Sequence, residues 1–451
     1  MGRRNDDVPI TLGARPLGEV IRFVQEIVTD AEAWGPDVAA EHRWVLEEAQ
    51  ARDPEAGEKT QELVLKVFDR YGVEVKGMDK RRAAFEVYKA AWGLDLLEEL
   101  YRDRTVDEIR VDRPDMVTVQ RQGKNEFVPA RFKDEEHIRN IAARLLSHDR
   151  GVALTASTPT AESVLKDGSR LTATCPPVTD HWTLVLRKHN TFEMTPENLI
   201  RAGTLDEPLL ELLATLVRGR ANIMISGGIG SGKTSLLRFL VGYLPESLRI
   251  VTLENDRELR LGERYPGRSV VEMEEHPEIG MKMDRLFRTV LRYTPDVIIA
   301  GEVRGRGEAT EAVKACTRGH DGSMATIHFS SPEEAVTGFG KMMLEEGLNL
   351  PIDIAVSWVA EAFDVVVQMF ADTTRGIKKI TRVTEIGEEG GAVSYRDLAV
   401  WQPSAHDFFE GRWAFPHTPG QRLLAKMHRY GVPQSELKQF HKRQQERRAA
   451  V

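Results

Sequence analysis

The stretch Gly227-Gly228-Ile229-Gly230-Ser231-Gly232-Lys233-Thr234-Ser235 constrains this chain more than any other. It fits the phosphate-loop pattern G-x-x-x-x-G-K-[ST] without a mismatch. The apolar run 221–226 before it reads as a short buried strand, and residues 235–241 after it read as an amphipathic helix. Glycines let the backbone turn tightly and aim its N–H groups at an anion, and the helix N-terminus adds partial positive charge at the same point. In that frame Gly227, Gly228, Gly230, Ser231, Gly232 and Ser235 cradle phosphates. Lys233 reaches the β- and γ-phosphates, and Thr234 gives its hydroxyl to Mg²⁺. The pattern implies a strand–loop–helix unit that binds a nucleoside triphosphate.

With 451 residues, the chain needs more than one domain around that unit. Residues 1–16 read as a flexible lead. Helical spacing dominates 17–93, where Val20, Val24 and Val28, and later Val64, Val67 and Phe68, fall on single faces of a helical bundle. Over 94–190 the period changes to strands, one helix with Ile138, Ile141 and Leu145 on one side, and a hairpin turning at Asp167-Gly168-Ser169, which together form an α+β domain. Residues 191–204 break both periodicities and read as a linker. From 205 to 400 helix and strand alternate, which predicts an α/β domain with a mostly parallel sheet. Its strands are expected at 221–226, 249–254, 296–301 and 324–328, with a β appendage near 377–386 and 393–401. Residues 401–451 read as a tail ending in a basic helix over 435–448, which reads as solvated along its length or as a contact for acidic lipid or a partner.

A net charge of -8 argues against a nucleic-acid-coating protein, so nucleic acid is an unlikely partner. Cys175 and Cys316, the two cysteines, stand far apart, which suits a reducing compartment and offers no zinc or disulfide framework. The run 352–370 is interrupted by Asp353, Glu361 and Asp364, so no segment is expected to span a bilayer, and any membrane role would run through partners.

A phosphate loop also needs acids to manage metal and water. Glu302 follows the apolar run Asp296-Val297-Ile298-Ile299-Ala300-Gly301, where a carboxylate at a strand's C-terminal end is placed to polarise an attacking water. Glu254 ends a second candidate strand and reads either as a carboxylate holding Mg²⁺ through water or as part of an ordinary acidic loop. His320 and His328 flank a turn into a strand with poor zinc spacing; they read as donors to a γ-phosphate or as hydrogen-bonded structure.

Four segments occur in order: the loop itself, Leu-Glu-Asn-Asp-Arg-Glu-Leu at 253–259, Asp-Val-Ile-Ile-Ala-Gly-Glu-Val-Arg-Gly at 296–305, and Arg-Gly-His-Asp-Gly-Ser-Met-Ala-Thr-Ile-His at 318–328. Together they resemble the Walker A, Asp box, Walker B and His box of the type II/type IV secretion ATPase superfamily, nearest its CpaF-like, tight-adherence (Tad) pilus group. The resemblance covers about 95–370. It implies a RecA-like P-loop domain that works as a homo-hexamer, with nucleotide between it and the preceding α+β domain. It further implies an ATP hydrolase that uses Mg²⁺, held by Thr234, Glu254 and Glu302, with Glu302 as catalytic glutamate and Glu254 as the Asp-box acid. His320 and His328 form the His-box pair, and Arg170 and Arg187 match arginines that reach the phosphates. Ile229, Asn255 and Glu162 depart from the pattern, standing where it carries Thr, Asp and Asp.

The expected role is a cytoplasmic motor at the inner face of the membrane that drives pilus assembly or secretion through a platform protein. A RecA-like DNA-translocating or conjugation motor would need a basic, aromatic-lined groove that the sequence does not offer. A nucleotide-gated scaffold without turnover would have no use for Glu302.

Overall fold

The computed structural model of the chain describes residues 13–149, 151–188, 194–305 and 307–449. The backbone divides into two compact units, Met1–Phe192 and Glu193–Val451.

In the first unit, helices Leu17–Ile27, Pro36–Gln50, Ala56–Tyr71 and Lys80–Ala91 bury one face each, with Val24, Val64, Val67, Val87 and Tyr88 in a shared core. Asp79 caps the last of them by accepting from the backbone N–H groups of Arg81 and Arg82. Strand β1 (Gly13–Arg15) pairs in parallel with β2 (Val73–Val75). The lead expected over 1–16 is corrected accordingly: 13–15 are strand, Pro16 caps the first helix, and 1–12 lie outside the described residues.

Six antiparallel strands come next along the chain: β3 (Val106–Arg113), β4 (Met116–Arg121), β5 (Lys124–Val128), β6 (Thr160–Val164), β7 (Arg170–Thr174) and β8 (Thr183–Arg187). Their order is β5-β4-β3-β8-β7-β6. Helix Glu135–Leu146 sets Ile138, Ile141 and Leu145 into the same core as Ile109, Val119, Leu171 and Leu186. A buried ion pair joins the helical bundle to the segment that leads into β3. Arg52 donates to both oxygens of Glu98, at 2.9 and 3.2 Å, and Arg102 Nε adds a third bond at 2.8 Å. Burial pushes the Glu98 pKa up, but the Arg52 charge and these hydrogen bonds outweigh it and hold the carboxyl below its ordinary value.

The second unit is built on one sheet. Its strands are β9 (Ile223–Gly227), β10 (Ile250–Glu254), β11 (Val270–Glu274), β12 (Val297–Ala300), β13 (Met324–Ile327), β14 (Val365–Asp372), β15 (Ile377–Glu389), β16 (Ala392–Pro403) and β17 (Gly411–Ala414). The order is β11-β10-β12-β13-β9-β14-β15-β16-β17, parallel as far as β14 and antiparallel beyond it. With β13 inserted between the loop strand β9 and β12, this is the RecA-like α/β arrangement. Ile223 and Ile225 of β9 enter one core while Met224 enters the other, and β12 splits the same way. Covered on both faces, these strands read as continuous apolar runs.

Three expectations change here. The β appendage is no separate piece: β15 and β16 continue the same hydrogen-bonded sheet, and β17 extends it past residue 400. Within the expected linker 191–204, Pro196–Arg201 is a helix, capped by Thr195 and anchored by buried Leu199. The tail is packed rather than solvated along its length. Helix Gln421–Arg429 buries Leu423 and Met427, and helix Gln434–Ala449 buries Leu437 and Phe440 in the core beside β9. Lys426 Nζ sits 2.7 Å from Asp321 Oδ1 and 2.7 Å from Asp364 Oδ2, at the ends where β13 and β14 begin.

Candidate nucleotide site

The C-terminal ends of parallel strands are where such sheets bind ligands, and the phosphate loop lies there, between β9 and helix Lys233–Leu240. Gly227 has no room for a side chain: a Cβ would lie 2.6 Å from the Met369 carbonyl oxygen on β14. Ser231 Oγ donates to Gly228 O at 2.8 Å and pins the loop, whose tip, Ile229, is 83% exposed. Thr234 is half-buried and Ser235 exposed on the first turn of the helix.

Lys233 is buried. Its ammonium donates to Gly227 O and Gly228 O, both at 2.9 Å, and to His328 Nδ1 at 3.2 Å. An ammonium has only donors, so Nδ1 of His328 is the acceptor and Nε2 carries the proton. That Nε2 lies 2.8 Å from Glu302 Oε1, and Arg304 Nη2 lies 2.7 Å from Glu302 Oε2. Partial burial pushes the Glu302 pKa up. The hydrogen bonds from His328 and Arg304, with the Arg304 charge, more than reverse this and hold the carboxyl far below its ordinary value. Lys233, His328 and Glu302 thus form one chain across the ends of β9, β13 and β12.

Glu254, at the end of β10, is only 2% exposed. Its Oε1 accepts from the backbone N–H groups of Glu258 and Leu259 at 3.1 and 2.9 Å, while Oε2 is buried without a hydrogen-bond partner. Burial dominates and pushes this carboxyl up to about 8. The side chain also explains Gly301, where a Cβ would come within 2.7 Å of Glu254 Cγ. The orphaned carboxyl oxygen of Glu254 and the Thr234 hydroxyl on the loop helix are both hard oxygen donors of the kind Mg²⁺ takes. Thr234, Glu254 and Glu302 therefore fit Mg²⁺ by donor chemistry. Among the described residues no three His, Cys, Asp or Glu side chains gather into a cage of their own.

His320 is placed elsewhere. Its Nδ1 bonds Pro295 O at 2.9 Å, before β12 begins, while His328 follows the far end of β13. The structure separates the expected histidine pair by the length of a strand, because a strand connects them. Arg170 and Arg187 stand on β7 and β8 of the first unit as directly opposed cross-strand partners.

Sequence reasoning gave no role to Arg304, although its two-residue spacing from Glu302 was visible, nor to Glu308. Glu308 accepts from Arg304 N at 2.7 Å, and burial pushes it up to about 7. Asn255 donates to Glu275 Oε2 at 2.6 Å and also to Glu308, so an aspartate there would add a third negative charge to that pair.

The family described as "Type II/IV secretion system protein" matches residues 91–413. An uncharacterized protein of Methanocaldococcus jannaschii is 31% identical over 272 residues, 57% of this chain and 36% of that protein, so the chain spans about a third of that relative's length. The type IV secretion system protein VirB11 of Brucella suis biovar 1 is 27% identical over 312 residues, covering 61% of this chain and 84% of that one. A crystal structure of the Brucella suis VirB11 ATPase in complex with sulphate aligns at 25% identity over 65% of this chain and 93% of that chain, with a TM-score of 0.36.

Proposed function

The chain belongs to the type II/IV secretion system protein family, and from that premise we propose that it hydrolyses ATP to drive a pilus-assembly or secretion machine of the Tad type. The observation that carries the reading is the hydrogen-bonded chain Lys233–His328–Glu302 beside the phosphate loop.

Arriving phosphates would compete with the Gly227 and Gly228 carbonyls for the Lys233 ammonium. His328 touches both Lys233 and Glu302, so the carboxylate is aligned through the same side chain that meets the lysine. Glu302 is held ionised and accepts a proton from the attacking water. Thr234, Glu254 and Glu302 would hold Mg²⁺, which when bound would supply positive charge against the phosphate oxygens. Arg170 and Arg187 supply the cations that stabilise charge on the transferred phosphoryl group. The working form is a homo-hexamer, and it meets the membrane from the cytoplasmic side through a platform protein. Among the described residues no helix is long and apolar enough to cross a membrane.

Two measurements test this. Steady-state phosphate release from Mg-ATP by the purified chain should be catalytic, and none would leave only a nucleotide-gated scaffold. Native mass measured with a non-hydrolysable ATP analogue should report six copies; turnover that requires DNA would favour a translocase instead.

A further inference from the structure

The phosphate loop has two flanks. In the order β12-β13-β9-β14-β15, Glu302 and His328 come from the β12 and β13 ends, on one side of the loop strand. Strands β14 and β15 close the other side. From that second flank Lys378 and Met369, together with Met194, converge on Gly232. A Cβ placed on Gly232 would lie 3.5 Å from Lys378 Cδ, 3.7 Å from Met369 Cε and 3.9 Å from Met194 Cε. Gly232 directly precedes the loop lysine, so the Lys378 stem runs alongside the phosphate-binding backbone.

A nucleotide is a linear ligand with its hydrolysed phosphate at one end. If that end meets Glu302 and His328, and the middle lies on the loop amides, the phosphate next to the nucleoside must extend toward β14 and β15. Lys378 is the lysine beside the loop on that flank. Its sequence neighbour reaches a different part of the domain: Lys379 Nζ donates to Gly203 O at 2.9 Å and lies 3.5 Å from the Trp401 ring centroid.

We propose that Lys378 is a nucleotide-binding residue whose ammonium pairs with the phosphate next to the nucleoside, while Met194 and Met369 give that end of the site an apolar wall. The inference rests on the reading of the loop as a nucleoside-triphosphate site and adds a second lysine, opposite the catalytic flank. The stem length suits the task, since a lysine can lay its methylenes along methionine and still present its charge beyond them.

The test is Mg-ADP affinity of the full chain by calorimetry, for wild type and for Lys378→Ala, Lys378→Arg and Lys233→Ala. Lys378→Ala should weaken ADP about tenfold or more, as expected for a lost hydrogen bond to a charged group. Lys378→Arg should recover most of that affinity, and the gap between wild type and Lys378→Ala should narrow as salt is raised. Unchanged ADP affinity in Lys378→Ala, with affinity lost in Lys233→Ala, would overturn the inference and leave the loop reading standing. No ADP binding by wild type would take down both. If Lys378→Ala fails to fold, Lys378→Met keeps the stem and reads the same difference.

Discussion

His328 bridges Lys233 and Glu302, with Nδ1 3.2 Å from the lysine ammonium and Nε2 2.8 Å from the carboxylate. One imidazole therefore spans the group expected to meet phosphate and the group expected to activate water. Glu302→Gln should keep the shape, remove the base and lower kcat about 10²-fold or more. His328→Ala should cost roughly 10- to 100-fold, the worth of one charged hydrogen bond. Phosphate-release kinetics read both. A Glu302→Gln enzyme that turns over at the wild-type rate would remove the carboxylate from the reaction.

Lys233→Ala should abolish tight Mg-ATP binding rather than slow a later step, because the loop amides alone leave the β- and γ-phosphates without a point charge. Equilibrium binding of a fluorescent ATP analogue checks this independently of turnover.

Arg170 and Arg187 face each other as a cross-strand pair, an arrangement in which like charges repel. Replacing Arg170 by Ala should slow hydrolysis by about 10³-fold. Nucleotide affinity should be kept. A rate equal to wild type would mean that the pair serves something other than phosphate.

Glu254 gives a pH signature. Its folded pKa is raised to about 8 from the ordinary 4.5, so the folded chain keeps a proton that the unfolded chain releases. The stability this contributes is fully present below pH 4.5 and is lost as pH rises through about 8. Over that window the loss amounts to roughly a few kcal/mol. Urea unfolding of Glu254→Gln should show a shallower decline between those limits than wild type, and an identical pH slope would contradict the buried neutral carboxyl.

Glu98 has no exposed side-chain surface and is the counter-ion of buried Arg52. Glu98→Ala strands that guanidinium and should cost about 3–5 kcal/mol in denaturant unfolding. Replacing both residues with apolar side chains of similar volume should recover most of the loss, since the pair's net worth is small once desolvation is counted.

The site was legible where chemistry demands residue types in a fixed spacing. The loop, Glu302 and His328 all lie at the C-terminal ends of parallel strands, and the apolar runs that announced those strands are buried on both faces. His320 was not separable from His328 by sequence, because the seven residues of turn and strand between them say nothing of which sheet end each occupies. Gly301 made sense only once Glu254 lay against it, a contact between strands 47 positions apart in sequence. Strand β11 went unseen since Val270–Glu274 mixes two acids into a short edge strand, half-buried along its length. The helix Pro196–Arg201 is one short turn-and-a-half, too brief for its period to register.

Lys426 joins two strand ends from underneath, and Arg422 on the same helix lies 3.5 Å from Asp364. Two cations that meet the carboxylates at the floor of this sheet, Lys426 and Arg422, thus come from the helix Gln421–Arg429. A version trimmed before residue 421 would not be a leaner copy of the same α/β domain. It would bare an apolar flank and leave Asp321 and Asp364 without the Lys426 ammonium, with its foundation rather than its phosphate-loop end undone.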